Sequence, residues 1–454
     1  MNTVAVTADE RAADSRWQSV RVEDVALSIF DGPFGSHLKS DDYSTEGCIV
    51  VRLENIGTLK FFSDKKTYVP EEKFSQLRRH TLLGGDVLVS SFLSDGVRVC
   101  RLPEELSGRA INKADCFCIR VDPQKCWPQF LMYRLACGAT FHDLWEEVHG
   151  ATRPRINLKQ LRTYRFELPP LAEQKRIADK LDALRARVDA CRERLDRVPG
   201  ILKRFRQAVL SAAVGGDLTS DWRRRHKRSL NGWTTVTVAD LVSRIEAGLN
   251  VQCVERPPAE GERGLVKISA VTWGEYDDEQ SKTLPRSAAV PESARIRVGD
   301  FLISRANTLE LVGACVVVRQ VRRPVYLSDK ILRLCMEEQV KSWLLCVLQS
   351  VYGRQQIESL ASGNQLSMRN LSQANLRQIL VPMPPDDERD EIVKRARGLL
   401  AHSAAIEARR ACGCAAAAQL TPALLAKAFR GDLAGSGQVD ECVAGEPEGV
   451  EISA

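Results

Sequence analysis

Apolar residues alternate at spacings of four and three in the middle of the chain, and the pattern holds from Ile177 to Ala212. This spacing is typical of a coiled-coil seam and extends over about five heptads. At ~1.5 Å per residue the helix would span roughly 54 Å. Pro199-Gly200 is expected to kink or break it, because proline lacks a backbone donor and clashes with the preceding turn. The predicted seam residues are Ile177, Leu181, Leu184, Val188, Leu195, Leu202 and Phe205.

A second long helix is predicted from Asp387 to Phe429, where large apolar residues are sparser. Ala, Gly and Ser fill many of its positions, and a small-residue face beside a leucine-rich one permits two helices to approach closely. The alternative is that each helix packs only on its own domain. A helix much longer than roughly 25 residues, however, has little globular surface for such a seam. The predicted seam residues here are Ile392, Leu399, Ile406, Leu420 and Leu424.

Short β-rich runs bounded by Gly, Pro and Asp precede each long helix. Helical spacing of apolar residues follows them at Pro128 to His142 and at Lys341 to Leu360. Each half of the chain is therefore predicted to be a mixed α and β module followed by a long helix. The predicted strands lie at 49–53, 86–90 and 116–120 in the first half, and near 265–269, 300–304 and 331–335 in the second.

The two halves repeat the same residues about 215 positions apart. This period is far longer than the roughly 20–50 residues of solenoid repeats, so the sequence indicates a duplicated module. The recurring residues are Trp17, Val20, Val22, Asp24 and Ile29 with Trp233, Val236, Val238, Asp240 and Ile245; Gly85-Asp86 with Gly299-Asp300; Leu168-Pro169-Pro170 with Met383-Pro384-Pro385; and Gly216-Asp217-Leu218 with Gly431-Asp432-Leu433.

These patterns predict an α+β protein divided into seven segments. Two of them, at the chain ends, are expected to be unstructured. The segments are an N-terminal extension (1–16), a first module (17–168), a first long helix (169–215), a basic linker (216–232), a second module (233–383), a second long helix (384–430) and an acidic tail (431–454).

The composition predicts a soluble cytoplasmic protein. Hydrophobic residues make up 44% of the 454, yet the longest apolar stretches are well short of the ~18 residues that a membrane span needs. The first fifteen residues contain no apolar signal segment. Fourteen scattered cysteines without an export signal favour reduced thiols. The pairs Cys116/Cys118 and Cys412/Cys414 lack zinc-site spacing, so no metal site is predicted.

The net charge of +6 is mild, but basic residues concentrate between Lys175 and Arg228. Arg223 to Arg228 is almost entirely basic and could contact phosphates. A solvated linker between the halves explains the same run equally well.

The motifs of common enzymes are missing from the sequence. It has no phosphate-binding loop of the G-x4-G-K-[ST] type, no dinucleotide-binding glycine pattern, and no hydrolase, zinc-protease or deaminase signature. Asp31-Gly32-Pro33-Phe34 faintly resembles the base-holding loop of amino-methyltransferases, but its second residue is Gly and no glycine-rich cofactor loop accompanies it. We therefore predict a binding protein without a catalytic residue or a cofactor of its own.

Three stretches together resemble the specificity (S) subunit of type I restriction-modification systems, the HsdS family, and the resemblance covers nearly the whole chain. The third is the most specific, because a Leu-Pro-Pro-x-x-Glu-Gln block before a heptad seam is typical of that family. In the second copy the block departs from this pattern, with Arg389 in place of Gln. The stretches are Asp31-Gly32-Pro33-Phe34-Gly35-Ser36, Gly85-Asp86-Val87-Leu88-Val89-Ser90 and Leu168-Pro169-Pro170-Leu171-Ala172-Glu173-Gln174-Lys175-Arg176-Ile177.

The resemblance implies a fold and a function. Each mixed module would be a target recognition domain that reads one half of a bipartite, asymmetric site on double-stranded DNA. The long helices would pack as an antiparallel coiled coil that separates the modules and docks two methyltransferase (M) subunits. Those subunits would bind S-adenosylmethionine, and restriction (R) subunits would join through the complex of two M subunits with one S subunit. The specificity chain itself would be a non-catalytic reader.

Candidate DNA-contacting residues flank the predicted strands and the loops before the long helices, and are of the types that read base edges and phosphates. For each of them a role as a solvated surface group is an open alternative. They are Arg52, Asn55, Ser91, Arg153 and Arg155 in the first module, and Lys267, Ser269, Arg305, Asn307, Asn364, Gln365 and Arg369 in the second.

Two other functions compete with DNA recognition. A coiled-coil scaffold that binds proteins would have no salt-dependent affinity for DNA, whereas phosphate neutralisation produces a steep salt dependence. A self-contained methyltransferase or nuclease would need the cofactor or metal motifs that the sequence lacks. The same architecture would also serve a system that only methylates.

Overall fold

A computed structural model describes residues 17–35, 37–148, 154–365 and 368–432. The predicted extension (1–16) and the predicted tail from residue 433 onward lie outside the described residues. The chain divides into two compact units, residues 1–195 with 413–454, and residues 196–412. Each unit contains one mixed module together with parts of both long helices.

The first module is built from β-sheets with helices packed against them. Its elements are β1 (Gln18–Arg21), β2 (Ala26–Phe30), β3 (Cys48–Val51), β4 (Tyr68–Val69), α1 (Glu71–Gln76), β5 (Thr81–Leu82), β6 (Val87–Leu93), β7 (Val97–Arg101), β8 (Ala110–Asn112), β9 (Cys116–Val121), α2 (Pro128–Ala136), α3 (Gly138–Glu146), α4 (Leu158–Thr163) and β10 (Arg165–Leu168). A four-stranded antiparallel sheet has the order β2-β9-β6-β7, and a second sheet has the order β4-β3-β8-β5 with β3 and β8 parallel. The ends of the module meet in the two-stranded sheet β1-β10.

The second module, which follows the long helix α5 (Leu171–Val214) and the short α6 (Ser220–Arg225), repeats this plan. Its elements, together with the second long helix, are β11 (Thr234–Thr237), α7 (Val238–Leu241), β12 (Arg244–Ala247), β13 (Gly264–Val266), β14 (Ser281–Thr283), β15 (Phe301–Ser304), β16 (Ala306–Asn307), β17 (Cys315–Val317), β18 (Val325–Tyr326), β19 (Ile331–Cys335), α8 (Glu338–Gln349), α9 (Val351–Leu360), β20 (Ser362–Gln365), β21 (Met368–Asn370), α10 (Gln373–Arg377), β22 (Leu380–Met383) and α11 (Asp386–Phe429). The sheets are β12-β19-β15-β17, β14-β13-β18 with β13 and β18 parallel, and β11-β22, with β16-β21-β20 added.

The helical stretch predicted after the strands is a pair of helices in each module. α2 and α3 are separated by Cys137, and α8 and α9 by Ser350, both with extended backbone. Ser350 also accepts a hydrogen bond from the Gly353 amide, which is the cap of a new helix. Periodicity alone does not reveal such a break, because the apolar spacing continues across it.

The Gly-Asp repeat forms the same partly buried ion pair in both modules. Asp86 accepts a backbone hydrogen bond from Leu83 at 2.8 Å and pairs with Arg120 at 2.8 Å. Asp300 accepts one from Arg297 at 2.8 Å and pairs with Arg333 at 2.8 Å. The preceding glycines have φ of +82° and +90°, a conformation that residues with a Cβ rarely adopt. This repeated motif therefore stabilises a turn in each module.

The long helix α5 continues through Pro199, so the predicted break does not occur. Proline inside a helix costs about 3 kcal/mol or more. Buried side chains anchor the turns on either side, with Val188 in the first unit and Leu202 and Val209 in the second. Packing of these turns offsets the lost backbone hydrogen bond.

The two long helices run antiparallel within each unit, as predicted. In the first unit the Arg192 guanidinium donates to the Ala417 carbonyl at 2.7 Å, and Ile177 and Leu181 share a core with Leu425 and Ala428. The C-terminal end of α11 therefore helps to close the core of the first module.

The second unit has the equivalent arrangement. Arg206 donates to the Ser403 hydroxyl at 2.9 Å. Val209 and Ala213 share a core with Ile392 and Ala396. The C-terminal end of α5 thus closes the core of the second module, and each module is completed by both helices.

The predicted seam residues are mostly buried on α5 and mostly exposed on α11. Ile177, Leu181, Val188 and Leu202 are buried, Leu184 and Leu195 are half-buried, and Phe205 is exposed. On α11, Ile392 is buried and Leu424 half-buried, but Leu399, Ile406 and Leu420 are 36, 47 and 46% exposed. The buried positions between the ends of α11 are instead small, namely Ala396, Ser403 and Ala417. Small side chains occupy these contacts because they permit the closest approach of the helix backbones.

A Pro-Pro block precedes each long helix, and the buried polar side chain that follows it differs between the two copies. In the first block the Gln174 side chain is buried, accepts from the Trp127 amide at 2.7 Å and donates to the Pro169 carbonyl at 2.8 Å. In the second, Glu388 is 1% exposed and accepts from Thr219 at 2.8 Å and from the Trp233 indole at 3.0 Å. The Gln of the first block therefore fastens the helix to its module.

One helix of the described residues, α11, is long and apolar enough to cross a membrane by length and composition alone. The sequence had predicted no such segment. The core helix of a soluble protein meets the same criterion, and both ends of α11 pack in protein cores through Ile392 and Ala428.

Candidate nucleic-acid interface

The two modules share a set of backbone hydrogen bonds at the place where the sequence predicted DNA-reading residues. We call this set the backbone frame. The Ile156 amide donates to the Ser91 carbonyl at 2.9 Å, and the Leu371 amide donates to the Arg305 carbonyl at 2.7 Å. The amide of Ser91 donates to Asp115, as that of Arg305 donates to Lys330, each at 2.9 Å. Ser91 and Arg305 therefore occupy equivalent positions, as do Asp115 and Lys330. The duplicated frame has retained its hydrogen bonds and changed its side chains.

In the first module a basic side chain, that of Arg155, lies beside this frame. The Arg155 guanidinium carbon lies 4.0 Å from the centre of the Phe92 ring. The same side chain pairs with Asp115 at 3.4 Å and is 48% exposed. Stacking fixes the plane of the guanidinium while leaving part of it accessible, which suits contact with a base or a phosphate.

In the second module the frame is more basic and extends into an added sheet. Strand β16 pairs with β21, and this aligns Ala306 with Asn370 and Asn307 with Arg369. The Arg305 Nε donates weakly to the Asn370 amide oxygen at 3.4 Å. Arg305, Asn307 and Arg369, which lie far apart in sequence, are therefore neighbours here.

Two predicted readers have internal roles in the structure. Asn55 is 2% exposed, and its amide donates to the carbonyls of Phe62 at 2.8 Å and Lys65 at 2.7 Å. Ser91 is 1% exposed, and its hydroxyl donates to Asp115 at 3.1 Å. A buried and bonded side chain cannot reach a base edge, so a reading role does not fit either residue.

Three other candidates lie on a second site in each module. Arg52 and Lys267 are equivalent, since each follows the strand that pairs in parallel with its neighbour, β3 with β8 and β13 with β18. Arg52 contacts Glu54 at 3.6 Å, and Lys267 contacts Glu255 at 3.4 Å. The Ser269 hydroxyl donates to Gln280 at 2.9 Å. All three are partly exposed.

The remaining candidates are only partly described. Arg153 lies outside the described residues. The backbones of Asn364 and Gln365 belong to β20, which pairs with β21, but their side chains are outside the described part of the chain. The Asn307 side chain accepts from the Thr308 amide at 2.8 Å.

The sequence analysis missed two lysines that lie beside these candidates. Lys330 occupies the position of Asp115, and Lys282, by the pairing of β13 with β14, occupies that of Thr67. The offset of about 215 residues already aligned both pairs, so a comparison of charge between the copies would have identified them.

A cleft of about 430 Å³ opens beside these lysines in the second module. Its charged and polar lining consists of Lys267, Lys282, Lys330, Asp329, Ser269, Ser328 and Asn250. The Lys282 ammonium holds the pKa of the Glu255 carboxyl below its usual value, and Lys267 contributes to the same shift. Ser328 is 5% exposed, and its hydroxyl has no hydrogen-bond partner among the described residues.

The described residues contain neither a disulfide nor a cluster of metal ligands. No cysteine in the described ranges forms a disulfide. Burial raises the pKa of the Cys100 and Cys315 thiols to about 12. No group of three or more His, Cys, Asp or Glu in that part of the chain could hold a metal ion.

The chain is similar to known restriction proteins over most of its length. Residues 87–199 match a family model described as the type I restriction modification DNA specificity domain. The EcoKI specificity subunit of Escherichia coli K12 is 28% identical over 410 residues, which are 87% of this chain and 83% of that protein. The StySPI specificity subunit of Salmonella potsdam is 27% identical over 413 residues, with the same coverage.

Two solved structures share the fold. The HsdS subunit from Thermoanaerobacter tengcongensis aligns with a TM-score of 0.56 and 21% identity, covering 92% of this chain and 97% of that one. A chain from a structure on the assembly and conformational transition of the type I R-M system aligns with a TM-score of 0.64 and 20% identity, covering 92% and 98%. These likenesses extend to both modules and both long helices.

Proposed function

The chain belongs to the family of type I restriction-modification specificity subunits, and from this premise we propose how it reads DNA. Each module reads one half of a bipartite, asymmetric site. The helices α5 and α11 set the spacing between the half-sites. Methylation and cleavage are carried out by other subunits, and S-adenosylmethionine is bound by the methyltransferase.

One observation carries this proposal, namely the shared backbone frame with divergent side chains. The accessible side chains on this frame are Asp115 and Arg155 in the first module, and Arg305 and Lys330 in the second; Ser91, the counterpart of Arg305, is buried. Hydrogen bonds of the backbone position the reading side chains, and the side chains themselves decide which base edges are accepted. The two modules share the backbone hydrogen bonds and differ in the side chains. An asymmetric DNA site requires this combination.

Exposed apolar side chains on the long helices support the docking of methyltransferase subunits. Ile201 is 53% exposed on α5, and Ile406 is 47% exposed on α11. Large apolar side chains at these exposures, on helices whose small residues already pack together, are typical of protein interfaces. We propose that two methyltransferase subunits cover these helices and that restriction subunits join through them, in the cytoplasm.

Methylome sequencing tests the reading and the spacing together. Cells would express the chain with its methyltransferase partner, and the modified sites would be compared with those of a variant carrying one added heptad in each long helix. An added heptad lengthens a helix by about 10 Å, so the spacer of the site should change while both half-sites stay the same. Altered half-sites, or unchanged spacing, would contradict the proposal.

Salt dependence separates DNA reading from a protein-binding scaffold. The affinity of the assembled complex for its site should fall linearly in log K against log salt, because bound phosphates release counterions. A flat dependence, or equal affinity for every sequence, would favour the scaffold.

A further inference from the structure

The second module contains a cleft that the reading of base edges does not explain. It holds about 430 Å³, which is within the range of small-molecule sites and too large for a lone phosphate. Leu249, Val251 and Leu265 contribute apolar lining, and Lys267, Lys282 and Lys330 contribute positive charge. A ligand that fits this lining has an apolar part and an anionic part.

An acidic side chain of the protein occupies the anion position. Glu255 contacts Lys267 at 3.4 Å and also pairs with Lys282. The carboxylate is 65% exposed, so a ligand phosphate can displace it without unfolding anything. Lys330 also lines the cleft, where it pairs with Asp329 at 3.3 Å. A phosphate dianion would therefore gain two or more charge-assisted hydrogen bonds.

A second observation within the cleft points to a ligand. Ser328 lines the cleft and is 5% exposed, and its buried hydroxyl has no hydrogen-bond partner among the described residues. A buried hydroxyl without a partner costs free energy, and rotation of the Ser328 side chain towards the cleft would let a ligand donor or acceptor recover it. Side chains of the serine and lysine types offer the hydrogen bonds that a base or a sugar needs.

The first module lacks this lining at the equivalent place. There Lys113 replaces Ser328, donates to the Tyr43 hydroxyl and lies 5.1 Å from the centre of its ring. Thr67 stands where the second module has Lys282, and Asp115 where it has Lys330. The basic cleft is therefore a property of the second module and does not belong to the shared framework.

We propose that this cleft binds a single nucleotide, with its phosphate on Lys267 and Lys282 in place of Glu255 and its base against Leu249 and Val251. Two sources supply such a ligand. One is a free nucleoside monophosphate, and the other is a nucleotide turned out of bound DNA. The second source rests on the proposed DNA-reading function, and the first does not.

Titration of the purified full-length chain with deoxynucleoside monophosphates tests the proposal. Each of the four would be compared with its nucleoside and with inorganic phosphate by calorimetry. We expect the nucleotides to bind about tenfold or more tightly than either part alone, because both the apolar lining and the lysines are used. Equal affinity for inorganic phosphate would overturn the nucleotide assignment.

Substitutions assign the binding to the cleft. Lys282→Ala should weaken nucleotide binding about tenfold, the effect of losing a charge-assisted hydrogen bond. Ser328→Leu should weaken it similarly by filling the cleft. Thr67→Ala, at the position in the first module that corresponds to Lys282, should leave binding unchanged, and circular dichroism would verify that each variant is folded. Binding that survives Lys282→Ala and Lys267→Ala alike would overturn the proposal even if Ser328→Leu did not fold.

Two DNA duplexes then distinguish the sources. If the cleft takes a nucleotide of DNA, a duplex with one unpaired nucleotide should bind more tightly than a fully paired one, and Lys282→Ala should remove the difference. If only free nucleotides enter, Lys282→Ala should weaken their binding and leave the two duplexes alike. If the chain bound nucleotides but its duplex binding did not depend on salt, the proposed DNA-reading function would fail. The proposed nucleotide site would stand.

Discussion

The buried pair between Arg223 and Glu388 is expected to be the most sensitive charge pair of the second unit. The Glu388 side chain is 1% exposed and that of Arg223 is 8% exposed. The carboxylate also accepts from Thr219 at 2.8 Å and from the Trp233 indole at 3.0 Å. Substitution of Glu388 by Ala removes the acceptor of the Trp233 indole and the counter-charge of the Arg223 guanidinium, and it leaves Thr219, as a donor, with only its 3.5 Å contact to the Gly216 carbonyl.

The magnitude follows from the burial of both partners. Removal of one partner from a buried ion pair costs about 3–5 kcal/mol, chiefly because the remaining charge is desolvated and uncompensated. Glu388→Gln retains the volume and one acceptor, so it should cost less, about 1.5–3 kcal/mol. The double variant Arg223→Leu, Glu388→Leu removes both charges and should recover part of the loss.

Hydrogen exchange measured by mass spectrometry reports this loss locally. A chain of two units does not unfold in one step, so exchange over residues 217–241 is more informative than a single melting temperature. The matched control is Glu173→Ala in the first copy, where the side chain is 19% exposed and its pair with Arg176 spans 3.8 Å. The control should cost at most about 1 kcal/mol. A Glu388→Ala variant that loses no more than the control would refute the reasoning.

Three further predictions concern the long helices, the DNA-reading residue Arg305 and the loop that contains Glu262. Leu399→Gln should change the local stability of α11 by about 0.5 kcal/mol or less, whereas Ala396→Leu should cost about 1–3 kcal/mol by overpacking the helix contact; hydrogen exchange over residues 391–408 would show equal losses if the seam were as the sequence predicted. Arg305→Ala in the assembled complex should cost about 1–3 kcal/mol of DNA affinity and relax one base position, and uniform weakening across sequences would instead mark a phosphate contact. Arg256 and the Ala259 amide lower the pKa of Glu262 to about 2. Because this pKa is depressed, the stabilisation is complete above the ordinary value of 4.5 and is lost as pH falls towards 2. Exchange in residues 256–262 should therefore increase in acid, and Glu262→Gln should show no such change.

The sequence predicted the architecture well because its signals are local. A heptad spacing sustained from Ile177 to Leu202 is a property of consecutive turns, and it survived even the proline that was expected to interrupt it. The same spacing on α11 was misleading. Apolar residues at Leu399 and Ile406 marked a stripe, but periodicity does not say whether a stripe faces a helix of the same chain or the surroundings.

The candidate site was harder to predict, since polar residues at strand ends look alike in sequence. Asn55 and Arg305 both lie shortly after a predicted strand. Asn55 is buried and hydrogen-bonded, whereas Arg305 is partly exposed. Only burial separates a residue that holds a loop together from one that can reach DNA. The lysines of the cleft were missed because no single position of the sequence marks them as a group.

The sequence by itself determined that there are two copies, that each ends in a long helix, and that no catalytic motif accompanies them. Tertiary structure decided which residues close the cores and which remain accessible. Leu425 joins Leu181, and Ile392 joins Val209, although each pair is far apart along the chain. Contacts at such separations leave no local pattern, because they depend on which surfaces exclude water together and on how closely two backbones can approach.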